Sequence, residues 1–181
     1  MISENMDWDE IKFVRLSIEH DLSSFDCGDS DLNDFLIHDA KVYQDGLVAV
    51  TYLVEHHDKV VGYFSLSNDK LSVKDCNKSN WRKIKRQFCH SKHRGDYPAV
   101  KVGRLAVGLD YQGYDIGSRI LDFIKYSFIE KNRTGCVFVT VDALTKAVDF
   151  YLKNKFKLLD SGQESVGSQT VSMYYNLLEL V

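Results

Sequence analysis

Residues 99–128, AVKVGRLAVGLDYQGYDIGSRILDFIKYSF, decide the fold. An apolar, β-branched run through Val107 meets a short glycine-bearing turn from Gln112 to Ser118. That turn opens directly into Ile116, Ile120, Leu121, Ile124 and Phe128 at helical spacing. Strand, amide-rich turn and helix together build an anion site, because the first N–H groups of a helix lack internal partners and the helix dipole adds positive charge. A phosphate-bearing ligand is the first inference. The turn contains no Gly-x-x-x-x-Gly-Lys-Ser/Thr, and no Gly-x-Gly-x-x-Gly follows an early strand, which disfavours a nucleoside triphosphatase or a Rossmann enzyme.

With 181 residues, 44% of them apolar and 12% aromatic, the chain is expected to fold as one α/β domain spanning 1–181 with a substantial core. Met1 to Glu10 is polar and acidic, and no apolar run approaches the length needed to cross a bilayer, so a cytoplasmic location without membrane contact is expected. Cys27, Cys76, Cys89 and Cys136 show no C-x-x-C pairing and are expected to be reduced.

Residues 11–18 alternate as a first strand, and Asp29 or Ser30 can cap a helix bearing Leu32, Phe35 and Leu36, which Gly46 ends. Residues 47–54 and 60–66 read as two antiparallel strands joined through Glu55-His56-His57-Asp58-Lys59, a turn with neither Pro nor Gly. The periodicity breaks over 68–95, where residues 81–88 can form a short basic helix with Trp81, Ile84 and Phe88 on one side; this stretch reads as an insertion. Pro98 stands just before a strand from Val100 to Val107. Residues 136–142 read as a strand covered on both faces, Thr145 as the cap of a helix over 146–154, and 170–178 as the last strand.

The turn Gln112-Gly113-Tyr114-Asp115-Ile116-Gly117 resembles the pyrophosphate loop of the GNAT superfamily of N-acetyltransferases, usually Arg/Gln-x-x-Gly-x-Gly/Ala. The preceding Val102-Gly103-Arg104-Leu105-Ala106-Val107 resembles that family's central strand. Residues 136–156 resemble its next strand and a helix with the Ala-x-x-Phe-Tyr-x-x-x-Gly-Phe signature, here Ala147, Phe150, Tyr151 and Phe156. Two motifs in the right order are far more specific than either alone. Phe25-Asp26-Cys27-Gly28, Asp31 to Leu36, Thr51 to Val54 and Val60 to Leu66 narrow the resemblance to the bacterial toxin-type branch, which acetylates the amine of aminoacyl-tRNA and is held by ribbon-helix-helix antitoxins.

The resemblance implies a GNAT fold: a mixed, mostly antiparallel sheet flanked by helices on both faces, with a V-shaped opening between two central strands and the basic insertion at about 70–95. It implies acetyl-CoA as cosubstrate, gripped by the turn Gln112, Gly113, Tyr114, Asp115, Ile116, Gly117 and Ser118, with the backbone of Leu105, Ala106 and Val107 pairing with the pantetheine arm. It implies Tyr151 as the general acid, since a phenol with a pKa near 10 can protonate a departing thiolate. Asp115 stands where the family usually has glycine. If the position is left-handed, Asp tolerates it at a cost below the roughly 1–2 kcal/mol typical of L-residues. A carboxylate about 4 Å from the pyrophosphate would be repelled by about 1 kcal/mol in water and about 4 at an effective dielectric of 20, so the side chain is expected to face solvent. Lys155 replaces the glycine before Phe156, leaving Asn154 to end the helix.

No general base stands out: His56 and His57 in a turn, and His90 and His93 in the insertion, read as surface residues. Cys89-His90-x-x-His93 lacks a fourth ligand, and no metal is expected.

The net charge of −3 hides an uneven distribution. Lys78, Arg82, Lys83, Lys85, Arg86, Lys92 and Arg94 fall within 76–95 without a single acid, leaving 16 Lys and Arg against 26 acids elsewhere, a net of −10. If all seven met phosphates of single-stranded RNA, the log–log salt slope would be roughly −5, with Trp81 and Phe88 as stacking surfaces. The bland alternative is a solvated insertion whose aromatics anchor it to the core. The reading that follows is N-acetylation of a primary amine by direct attack on acetyl-CoA. Its alternatives are a toxin acting on aminoacyl-tRNA and a catalytically silent module that binds RNA or protein through 76–95. The partners expected are acetyl-CoA, an amine acceptor such as aminoacyl-tRNA, a small antitoxin and a second copy of the chain.

Overall fold

The computed structural model describes residues 7–88, 94–130, 134–159 and 169–181. Seven strands, β1 (Ile11–Arg15), β2 (Val50–His56), β3 (Lys59–Ser72), β4 (Asp96–Val107), β5 (Phe138–Leu144), β6 (Lys157–Leu158) and β7 (Thr170–Asn176), hydrogen-bond in the order β1-β2-β3-β4-β5-β7-β6. The β4–β5 pair is parallel, whereas β1–β2, β2–β3, β5–β7 and β6–β7 are antiparallel, so the sheet is mixed and mostly antiparallel. Among the described residues the α-helices are α1 (Ser30–Asp34), α2 (Ala40–Asp45), α3 (Lys78–Lys85), α4 (Ile116–Glu130) and α5 (Val148–Lys153). The chain forms two compact units, Met1–Ser67 with Gly103–Asp122, and Asn68–Val102 with Phe123–Val181. Strands β3 and β4 and helix α4 run through both.

In the first unit, β2 and β3 form a hairpin in which His56 pairs with Lys59 across His57 and Asp58. Both central residues have positive φ, 49° and 59°, the backbone that matches the twist of paired strands and that Asn-Gly usually supplies. Asp29 caps α1 by accepting from the Leu32 amide, as its short acceptor side chain favours. A π-helical turn at Phe35–Asp39 then leads into α2. Phe35, Leu36 and Ala40 bury against Leu53 and Tyr63, together with Leu16, Phe25, Cys27 and Ala106. Gln44, itself buried, donates to Leu16 O at 2.8 Å and accepts from the Thr51 amide at 3.3 Å. Its side chain thereby satisfies two backbone groups, one just past the end of β1 and one near the start of β2.

In the second unit, the β4–β5 ladder joins Ala99–Val102 to Phe138–Val141. Asn77 caps α3, whose Trp81 and Ile84 bury with Leu71, Tyr97, Ala99 and Phe138. Phe88 stacks on Tyr97 at a centroid distance of 4.3 Å.

Several boundaries differ from the sequence expectations. Strand β3 continues to Ser72, so the insertion proper is shorter than 70–95. Pro98 lies inside β4, exposed, and its carbonyl accepts from the Val137 amide. Thr145 does not cap α5: it begins a 3₁₀ turn and donates through Oγ1 to Gln169 O.

Candidate active site

The turn after β4 is built by ties to residues far away in the chain. Gly108 N–H donates to Val61 O and Leu109 N–H to Asp26 O, both at 2.9 Å. Gln112 Nε2 donates to Val107 O and to Cys27 O, each at 3.0 Å. The Gln112 side chain is therefore committed to shaping the turn, and what it leaves available to an anion is backbone. The 26–28 segment is itself fastened: Asp26 Oδ1 accepts from the Gly28 amide and from Asn33 Nδ2, both at 2.8 Å, and Asn33 Oδ1 accepts from Cys27 N–H at 3.0 Å. The Gly28 amide first, then Asn33, hold the Asp26 carboxyl below the usual carboxylate range. Sequence reasoning treated Phe25–Gly28 as a family marker. The structure assigns it the work of bracing the turn, through contacts no local spacing reveals.

Gly113 has φ of +87° with open space where a β-carbon would stand, and Asp115 has φ of +63°. Helix α4 begins immediately after Asp115, whose carbonyl accepts from the Arg119 amide; the first N–H groups of a helix have no partner within it. Asp115 is exposed, in line with a side chain turned to solvent. Ile116 anchors the helix start in the core at 2% exposure, so Gly117 and Ser118 occupy a rigid first turn. Consecutive donors of this kind can hold a diphosphate without any lysine.

Upstream of the turn, β3 approaches β4 closely: a β-carbon at Gly62 would stand 2.9 Å from Ala106 O. Only glycine permits that approach without a backbone shift. Leu105, Ala106 and Val107 lie beyond the last β4–β5 pair, Val102 with Val141.

In the second unit, Tyr151 is 6% exposed on α5, between the rings of Phe150 at 5.1 Å and Phe156 at 5.3 Å. Burial pushes its phenol up to about 12. It therefore stays protonated throughout the neutral and mildly alkaline range. Helix α5 ends in a complete Schellman motif: Phe156 N–H donates to Tyr151 O at 3.0 Å and Lys155 N–H to Leu152 O at 2.9 Å. The left-handed residue is Lys155, at φ +66°, and not Asn154, whose φ is −86°. Asn154 instead donates from Nδ2 to Phe150 O at 2.9 Å. Sequence reading also passed over Lys125, which is 5% exposed, donates to Asn154 O at 3.2 Å and lies 4.5 Å from the Tyr175 ring centroid. Its ammonium locks the end of the helix that carries Tyr151.

Because Lys155 pays a left-handed strain that glycine escapes, Lys155→Gly is expected to raise stability by about 1 kcal/mol. Thermal unfolding checks this: the midpoint should rise by about 2–4 °C, and a fall would show that the lysine side chain supplies more than its backbone costs.

The basic segment divides. Lys78, Arg82, Lys83, Arg86 and Arg94 are exposed, while Lys85 is half-buried. Trp81 is 7% exposed and packs near Tyr97, so it anchors α3 and offers no stacking face to RNA. Lys92, His90, His93 and Cys89 lie outside the described residues.

No helix among the described residues is long and apolar enough to cross a membrane. The model of the GNAT acetyltransferase domain matches residues 37–177. A tyrosine-to-phenylalanine mutant of KacT superposes with a TM-score of 0.75 at 24% identity, covering 95% of this chain and 99% of that one. AtaT complexed with acetyl-methionyl-tRNAfMet gives 0.73 at 20% identity over 94% and 96%. AtaTR bound with acetyl-CoA gives 0.67 at 22% identity over 95% and 96%. These likenesses establish the shared fold. With a family match across both units and the strand, turn and helix in the order that family uses, the chain belongs to the GNAT acetyltransferases.

Proposed function

We propose that this chain, acting as one catalytic domain, transfers the acetyl group of acetyl-CoA to the amine of an aminoacyl-tRNA. The observation that carries the cofactor half is the braced turn from Gln112 to Ser118, in which Gly113 and Asp115 have left-handed backbone just before α4; we take the main-chain amides of this turn as the anion donors. In this reading those amides hold the pyrophosphate, and the backbone of Leu105, Ala106 and Val107 pairs with the pantetheine arm. The neutral amine attacks the thioester carbonyl, its nitrogen loses a proton to water, the tetrahedral intermediate collapses with cleavage of the C–S bond, and Tyr151 gives its phenolic proton to the thiolate and is reprotonated from water. No metal enters these steps.

The acceptor half rests on charge and likeness. AtaT, a structural neighbour, was seen with an acetylated aminoacyl-tRNA, and α3 with its C-cap residue displays Lys78, Arg82, Lys83 and Arg86 to solvent. Each phosphate contact contributes about −0.7 to −0.9 to the slope of log K against log salt. Replacing those four cations by glutamine is therefore expected to flatten the slope for tRNA binding by about 3. Acetyl-CoA affinity should be unchanged. A slope that does not move removes α3 from the acceptor surface, and acetylation of small amines without aminoacyl-tRNA would return the reaction to the broader class. A tyrosine-to-phenylalanine mutant of the same AtaT toxin has a structure bound to the C-terminus of the antitoxin AtaR, and we extend the toxin reading to this chain: expression alone arrests translation, and a small antitoxin relieves it.

A further inference from the structure

We propose that Glu10, His56 and His57 form a site for a divalent transition metal of the zinc, copper or nickel class at the tip of the β2–β3 hairpin, where the His56 ring lies 6.5 Å from that of Tyr111, just before the Gln112 turn. One ligand atom from each lies within 4.8 Å of the others. His57 Nε2 is 2.7 Å from Glu10 Oε2, and the two imidazole centroids are 4.1 Å apart.

Neighbouring residues in a regular strand point to opposite faces. The positive φ of His57, 49°, turns its ring to the side of His56. The 3₁₀ turn Trp8–Glu10 then brings the carboxylate to the pair. A separate observation concerns His56 alone: its Nε2 is sealed from water and, among the described residues, meets no hydrogen-bond partner. Buried ring nitrogens are ordinarily satisfied, and one nitrogen of this ring lies within 4.8 Å of the Glu10 and His57 ligand atoms.

Two imidazoles and a carboxylate suit borderline transition metals and not magnesium or calcium, which prefer all-oxygen shells. Ligand bonds of about 2.0–2.2 Å place tetrahedral ligand atoms about 3.4 Å apart. The Glu10–His57 pair must therefore open slightly and the widest pair close, both by side-chain torsions. The side chains of His57 and Glu10 are 63% and 46% exposed, so an ion can enter and a water can fill the fourth position. Occupied, the site ties the first described turn of the chain to the hairpin.

The test titrates the full chain with zinc chloride by calorimetry and thermal unfolding, and with cobalt chloride by visible spectroscopy. One ion per chain is expected, with a midpoint rise of about 5–10 °C at a hundredfold excess over Kd, and tetrahedral cobalt bands without a thiolate charge-transfer band. Glu10→Gln, His56→Gln and His57→Gln should each weaken binding at least tenfold, while His38→Gln should not. Because these ligands sit at a hairpin tip, unchanged apo melting of the variants confirms their fold. Absence of binding, binding unaltered in His56→Gln/His57→Gln, or a thiolate–cobalt band overturns the proposal.

Discussion

Tyr151→Phe is expected to lower kcat by about 100- to 10,000-fold, the range for loss of a positioned acid, while acetyl-CoA binds as before. The hydroxyl is the only atom removed, and the ring contacts to Phe150 and Phe156 that hold α5 together remain. Stability should therefore change little. The pH profile gives a second readout. Burial raises the phenol to about 12, so its acidic form persists across the neutral range, and no alkaline limb belonging to Tyr151 is expected below about pH 11. The same shift bears on folding. A phenol higher in the folded chain than in the unfolded one contributes stability that is complete below pH 10 and is lost as the pH rises through about 12. If Tyr151→Phe keeps full turnover, the leaving thiolate takes its proton elsewhere and the assigned role fails.

The other large effect concerns a residue that touches no ligand in this account. Gly62→Ala places a β-carbon where Ala106 O stands 2.9 Å away. Backbone cannot rotate aside as a flexible side chain can, so β3 and β4 must part at the point that sets Ala106 and Val107. Overpacking of this kind costs about 1–3 kcal/mol, or about 3–10 °C in the unfolding midpoint. Acetyl-CoA affinity should fall at least tenfold, because the backbone proposed to pair with the pantetheine arm moves. Gly113→Ala supplies the contrast. Its β-carbon meets nothing, but φ of +87° is left-handed, so only the strain of about 1–2 kcal/mol is expected. Equal affinities for Gly62→Ala and the wild type would show that β4 near Ala106 is not part of the cofactor site.

The strand–turn–helix order was legible because each part has a local signature: β-branched residues to Val107, glycine in the turn, and a 3.6-residue stripe from Ile116. The anchoring of α3 was legible for the same reason, Trp81 and Ile84 falling three apart on one face. What could not be read is what depends on distant partners. Gln112 gives its side chain to Cys27 O, 85 residues away, and nothing near Gln112 announces that. Gln44 likewise satisfies Leu16 and Thr51, although glutamine in a helix ordinarily reads as solvent-facing. The π-helical turn at Phe35–Asp39 has no compositional mark. At the end of α5 the expectation went astray for a physical reason. Asn tolerates left-handed backbone better than Lys, which favoured Asn154, yet the Schellman bonds require that conformation one residue later, where Phe156 packs on Tyr151. The motif's hydrogen bonds and its apolar contact outweigh the strain at Lys155. Similarly, the β2–β3 turn places His57 and Asp58 in the left-handed region because the paired strands demand it, and His and Asp tolerate that backbone better than most non-glycine residues.

The central claim is that main-chain amides after β4 receive the cofactor's pyrophosphate. Amide-resolved NMR of the full chain during titration with acetyl-CoA tests it most directly. The account predicts saturable shifts concentrated at Gly113 through Ser118 and at Leu105 to Val107. Binding that leaves those amides unmoved, or no binding at millimolar acetyl-CoA, would contradict it.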